Sequence, residues 1–145
     1  MRHVEVVCTG NICRSPIGEV VLRAKLTEAG IDDVVVTSSG TGGWHSGDPM
    51  DPRAAAALAR HGYDGSAHRA REFRSYWFGE RDLVLAMDSS HLSTLVRRGG
   101  GEVAIPIELF AVTDVADPYY GDEADFDEVV TQVEKAAALW ISRLR

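Results

Sequence analysis

Val6-Val7-Cys8-Thr9-Gly10-Asn11-Ile12-Cys13-Arg14-Ser15-Pro16 is the stretch on which the reading of this chain turns. A β-branched run ends on a thiol, five residues separate that thiol from Arg14, and Ser15-Pro16 opens an amphipathic pattern. β-branched residues favour a buried strand, and a serine followed by proline is a helix-start signal. The stretch therefore reads as strand, short glycine-containing loop, helix. That junction aims several backbone N–H groups and the positive end of a helix dipole at one point. A thiol begins the loop and a guanidinium closes it, so a phosphate dianion fits between a sulfur nucleophile and an arginine fork.

Outward from this loop the chain alternates between strand and helix patterns. A first strand covers 3–8, and a helix capped by Ser15 runs to about Ala29 and stops at Gly30. A second strand is expected over 34–37, then a glycine-rich loop over 39–47, then an alanine-rich helix over 53–60 started by Asp51-Pro52 and ended by Gly62. A short helix is expected around 73–78. The third strand is 82–87, and Asp88-Ser89-Ser90 caps a helix that ends at Arg98 before Gly99-Gly100-Gly101. A fourth strand lies within 103–109, where Pro106 pushes the paired part to one side or to a sheet edge. The last helix covers about 122–144, with Phe126, Val129, Val130, Val133, Ala137, Trp140 and Ile141 on its core face. The expectation is an α/β fold in one domain over 1–145: a three-layer arrangement with a four-stranded parallel sheet flanked by helices and a phosphate-binding loop after the first strand. Ligands in such folds bind beyond the carboxyl ends of the strands, where the Cys8 loop lies.

Composition narrows the functional classes. Of 145 residues 45% are apolar and 26% charged, an ordinary globular balance, and the formal net charge is −7. That acidity, with basic residues only in short separate groups at 69–74 and 97–98, argues against nucleic acid as a partner. No run approaches the roughly 18 apolar residues of a membrane span, and the first residues do not read as a signal peptide. The two cysteines share one loop and cannot form a disulfide scaffold, so a reducing cytoplasm is the expected compartment. A single Cys-x4-Cys pair is not zinc spacing either, and neither a metal nor a cofactor is expected.

The loop chemistry follows from its residue types. A free thiol has a pKa near 8.5, so only about 3% is thiolate at pH 7. A helix N-terminus, Arg14 and the Ser15 hydroxyl all favour the anion at Cys8. The same donors suit the equatorial oxygens of a phosphoryl group, and arginine grips two of them at once. A phosphate monoester also needs its leaving oxygen protonated. Asp117 in Asp117-Pro118-Tyr119-Tyr120-Gly121 is one candidate; helix-dipole decoration is the competing reading for it, and the better one for Asp122, Glu123 and Asp125. Cys13 sits beside the reactive thiol and is expected to shield it through a reversible disulfide.

These residues resemble the low-molecular-weight protein tyrosine phosphatases nearly end to end. The likeness rests on 8–16, on Ser38 through Trp44-His45 and Gly47, on Asp51-Pro52-Arg53-Ala54, on Ala67-His68, on Ala86-Met87-Asp88, and on 117–121. The resemblance implies Cys8 as nucleophile through a phosphocysteine, Arg14 as phosphate ligand and Asp117 as general acid and then base. It implies that the loop residues Thr9, Gly10, Asn11, Ile12, Cys13 and Ser15 surround the phosphate, with Ser15 supporting the thiolate. Trp44, Tyr119 and Tyr120 would line the rim, and Ser38 and His68 would join Asn11 in a network that holds the loop. Phosphotyrosine-containing proteins are the implied partners, with a tyrosine kinase among the candidate substrates. Ser39, Gly18 and His91 depart from residues common in that family, and the basic group at 69–74 has no assigned role.

Four rival readings are weaker. Arsenate reduction on a similar architecture calls for a further cysteine pair around 80–95, which is absent. Phosphoarginine hydrolysis goes with threonine where Ile12 stands, and an apolar Ile12 suits an aromatic ring better. A phosphopeptide-binding module would have no use for Cys8 or Asp117, and a thiol oxidoreductase none for Asp117.

Overall fold

The computed structural model describes residues 1–101 and 103–145. Nine elements follow in order: β1 (Arg2–Cys8), α1 (Arg14–Glu28), β2 (Val34–Gly40), α2 (Pro52–Arg60), a 3₁₀ turn (Ser75–Gly79), β3 (Leu83–Ala86), α3 (Ser89–Gly99), β4 (Ile107–Leu109) and α4 (Glu123–Leu144). The strands form one parallel sheet in the order β2-β1-β3-β4. β1 is thus an inner strand, and the chain leaves its carboxyl end between two neighbours whose crossovers depart to opposite faces. That is the switch point at which open α/β sheets hold ligands.

The two-residue period of the strands separates two cores. Val4, Val6 and Cys8 of β1, with Leu83 and Leu85 of β3 and the adjoining Met87, join Ile17, Val21 and Leu22 of α1 and Phe126, Val130 and Val133 of α4. Val7, Val84 and Ala86 point the other way, onto Phe73, Trp77 and Leu95. Helices α1, α2 and α4 cover one face, and α3 with the 3₁₀ turn covers the other, which is the three-layer architecture expected. The Trp140 indole N–H donates to the Phe110 carbonyl at 2.7 Å, so a large aromatic is buried without orphaning its polar edge. The Asp122 carboxylate accepts from the Asp125 amide at the head of α4, in a capping box.

Three expectations need correction. Helix α1 begins at Arg14 with Cys13 in the cap position, and no side chain caps it. Ser15 is already inside the helix, because its hydroxyl is spent on the loop rather than on the helix amides. β2 continues beyond 37 to Gly40, with Ser38, Ser39 and Gly40 in register with Val6, Val7 and Cys8. β4 is shorter than 103–109: only Ile107–Leu109 pairs in register, although the Pro106 carbonyl still accepts from the Val84 amide at 3.1 Å. Proline cannot donate to a ladder, and β4 accordingly lies at a sheet edge.

Gly18 stands where α1 crosses β1. A Cβ there would lie 3.0 Å from Val6 Cγ1, 3.5 Å from Met87 Cε and 3.5 Å from Phe110 Cε2. The helix propensity lost to glycine is thus exchanged for close helix–sheet approach directly beneath the loop. Gly18→Leu is expected to lower stability by about 1–3 kcal/mol, read by chemical denaturation, because it forces extra atoms into a closed interface.

Candidate active site

The loop between β1 and α1 is fastened by its carbonyls, which leaves its amides free to converge. Thr41 N–H donates to the Cys8 carbonyl at 2.8 Å, Gly42 N–H to Thr9 at 3.0 Å and Asp51 N–H to Ile12 at 2.9 Å. Gly40 permits this approach, since a Cβ on it would fall 2.5 Å from the Thr9 oxygen. Asn11 takes the left-handed conformation at φ 60°, a position of strain for a non-glycine residue.

Its surroundings account for that strain. The Asn11 amide donates to Ser15 Oγ at 2.8 Å and Ser38 Oγ at 3.0 Å, and its side-chain oxygen accepts from the Arg71 amide at 3.0 Å. The His68 Nε2–H donates to the Asn11 carbonyl at 2.8 Å, and Ser38 donates onward to Glu19 at 2.6 Å. Burial pushes His68 below the ordinary imidazole range while the Asn11 carbonyl pulls the other way. Ser38, His68, Asn11 and Ser15 therefore lie together beneath the loop, all buried.

Cys8 Sγ lies 2.9 Å from Ser15 Oγ. An ionised sulfur can only accept, so with a thiolate the hydroxyl is the donor. Burial, seconded by the nearby Asp51 carboxylate, pushes the Cys13 thiol well up, which keeps it protonated at neutral pH. Both cysteines are free and buried.

Arg14 is 5% exposed, yet its charge is compensated. Its Nη1 donates to Asp88 Oδ2 at 2.7 Å and to the Val115 carbonyl at 3.0 Å, which fixes the plane of the fork. Nη2 is 3.7 Å from Asp117 Oδ2. Burial opposes ionisation of Asp88, but hydrogen bonds from Ser90, from Arg14 and from the His91 amide outweigh it and hold the carboxyl at about 2. Asp88 is thus an anion throughout the neutral range.

These groups open on one pocket of about 280 Å³. Its floor is Cys8 with Arg14; Thr9, Gly10, Ile12 and Cys13 form its sides. Trp44, His45, Tyr119 and Tyr120 stand at the rim and Asp117 beside it. Trp44 is 74% exposed, an unusual position for a tryptophan. Tyr119 and Tyr120 meet edge to face at 5.0 Å. The assembly is an anion-sized, amide-lined base under an aromatic collar.

Residues 3–145 match the family model described as low molecular weight phosphotyrosine protein phosphatase. The chain belongs to this family. It is 44% identical, over 96% of its length and 91% of the relative's, to the low molecular weight protein-tyrosine-phosphatase of Streptomyces coelicolor. Among solved structures it is similar to Primo-1, at 34% identity and TM-score 0.95 with all of both chains covered. It is also similar to a drosophila arginine phosphatase, at 25% identity and TM-score 0.91, covering 99% of this chain and 97% of that one. A structure named as an arginine phosphatase thus shares this fold.

Several residues of this site had no role in the sequence reading. Arg53 reaches from the start of α2 to the Tyr119 carbonyl at 3.0 Å, its guanidinium 5.3 Å from the Tyr119 ring, while a paired bond to Asp51 holds it. Asp51-Pro52-Arg53 was legible as a helix start, but not as a brace for a loop 66 residues away. Arg71, from the basic group without a role, donates to the Ser38 carbonyl at 3.2 Å and stacks 4.9 Å from Trp77. His91 is buried, with Nε2 2.8 Å from Thr9 Oγ1. Burial pushes His91 below the ordinary imidazole range, Asp88 opposing and Arg14 assisting. Among the described residues no helix is long and apolar enough to cross a membrane.

Proposed function

We propose that this protein is a metal-independent phosphatase of phosphotyrosine in proteins, working through a phosphocysteine at Cys8. The observation that carries the reading is the convergence of a thiol 2.9 Å from a serine hydroxyl, a guanidinium whose plane is already fixed, and a carboxylate 3.7 Å from that guanidinium. The Cys8 thiolate attacks phosphorus as the S–P bond forms and the P–O bond to the phenol breaks. Asp117 gives its proton to the departing phenolate oxygen. The loop amides and the free edge of Arg14 hold the equatorial oxygens, where charge spreads in the transition state. Water then attacks phosphorus, Asp117 takes its proton, and the S–P bond breaks to return the thiolate and release inorganic phosphate.

The aromatic ester is favoured over phosphoserine by depth and by the walls. A nucleophile at the bottom of a collared pocket is reached by a rigid phenyl spacer, and Ile12, Trp44 and Tyr119 offer apolar faces to that ring. Phosphoarginine is the second reading, since its carrier side chain is also long and planar; the apolar Ile12 side chain weighs for the ring instead. Hydrolysis of matched phosphotyrosine, phosphoserine and phosphoarginine peptides in the presence of EDTA is the test. Turnover of the phosphotyrosine peptide alone, undiminished by EDTA, is expected. Faster phosphoarginine turnover would reassign the substrate, and abolition by EDTA would remove the mechanism.

A further inference from the structure

The phosphate-binding loop is fastened from two sides that differ in kind. On the β2 side a dense set of bonds from Ser38, Thr41, Gly42, His68 and Arg71 grips Asn11 and the loop carbonyls. On the α3 side, among the described residues, one side chain bonds directly to residues 8–13: His91, through Thr9 Oγ1 at 2.8 Å. The ring's other nitrogen, Nδ1, accepts from the Asp88 amide at 3.2 Å and lies 3.2 Å from Asp88 Oδ1. Asp88 is the residue whose carboxylate grips Arg14 at 2.7 Å.

We propose that His91 is a positioning residue, a strut between Thr9, next to the nucleophile, and Asp88, the anchor of the Arg14 fork, which keeps loop amides and guanidinium in one frame. The inference rests on the phosphatase reading above and adds a residue to it. Both ends of the strut are needed. Thr9 is exposed and its side chain is otherwise unfastened among the described residues, while Asp88 begins α3 and could shift with that helix. Buried at 3% exposure, the imidazole is rigid enough to transmit position between them. Glutamine at the third helical position has an oxygen to accept from the cap amide and an amide to donate to Thr9, so it can reproduce both contacts. Leucine fills the space and reproduces neither.

The test is steady-state hydrolysis of p-nitrophenyl phosphate by the whole chain carrying His91→Leu, His91→Gln, Thr9→Val, or His91→Leu with Thr9→Val, with melting temperature recorded for each. Misplacing the donors weakens the transition state more than the bound ester, so His91→Leu is expected to lower kcat about tenfold while KM moves less than about threefold. His91→Gln is expected to recover most of that loss. Thr9→Val is expected to show a loss of similar size that does not multiply with the His91→Leu loss. A folded His91→Leu protein with wild-type kcat overturns the strut, as does a glutamine variant no better than leucine. Should His91→Leu fail to fold, Thr9→Val at an exposed position decides: wild-type kcat there overturns the proposal. Wild-type protein inactive on aryl phosphates would remove the phosphatase reading itself, whereas active wild type with unaffected variants removes the strut alone.

Discussion

Cys8→Ser is expected to lower kcat for p-nitrophenyl phosphate by at least about 10⁴-fold while affinity for inorganic phosphate, measured by calorimetry, stays within about threefold. The exchange is close to isosteric at a residue only 3% exposed, so the loop keeps its shape. The difference is ionisation. A serine hydroxyl is far weaker as an acid than a thiol and needs an adjacent base. The contact at this position is Ser15 Oγ, which accepts from the Asn11 amide at 2.8 Å and lies 3.2 Å from the Ser39 carbonyl. That hydroxyl can donate but cannot take a proton at neutral pH. The amides and Arg14, which bind phosphate, are untouched. Substantial turnover by the serine variant would exclude a covalent cysteine intermediate. Loss of phosphate affinity together with activity, in protein that still folds, would mean that the sulfur holds the anion rather than attacking it.

That selectivity of effect reflects how the site is divided between readable and unreadable parts. The nucleophile, the arginine and the helix start lie within nine residues of one another, and their chemistry is local: a loop between a strand and a helix has few ways to be built. By residue type alone Asp117 was legible only as one of several acids before a helix, and it was the family resemblance that singled it out. The structure sorts them: Asp122 and Asp125 are bound up in the α4 capping box, and Asp117 Oδ2 comes to 3.7 Å of Arg14. Trp44 and Tyr119 had no periodic signal, because rim aromatics pack on no core; the family likeness pointed to both, and the pocket includes both.

What the pattern could not show were contacts between polar side chains far apart in the chain. Glu5 is fully buried in β1, held by Arg81 at 2.8 Å, although in sequence it looks like the solvent side of an alternating strand. His91 and Arg53 act across 82 and 66 residues. Sequence periodicity reports burial of apolar faces, and it has no period for a buried ion pair or a strut. The extension of β2 through Ser38-Ser39-Gly40 was missed for a related reason. Small polar residues carry no strand signature, yet they pair because β1 presents an open ladder there, and their lack of bulk lets the loop lie against them.

Asp117→Asn is expected to lower kcat/KM about 10³-fold for phenyl phosphate and no more than about tenfold for p-nitrophenyl phosphate. The asparagine keeps the side-chain oxygen that accepts from the Tyr119 amide at 3.1 Å, so the loop retains its turn, and the half-exposed position makes no large demand on stability. What is lost is the transferable proton. A phenol as basic as tyrosine leaves slowly as the bare anion, whereas p-nitrophenolate leaves readily without help. The comparison belongs on kcat/KM, which reports the steps up to cleavage of the P–O bond. In kcat both esters share the hydrolysis of the same phosphocysteine, and loss of the base slows that step equally for both. Good leaving groups should therefore reveal a second sign: a burst of p-nitrophenol equal to the enzyme concentration, followed by slow turnover. An equal loss of kcat/KM across a leaving-group series would exclude Asp117 as the acid, and a full loss-pattern without a burst would give it the first step but not the second.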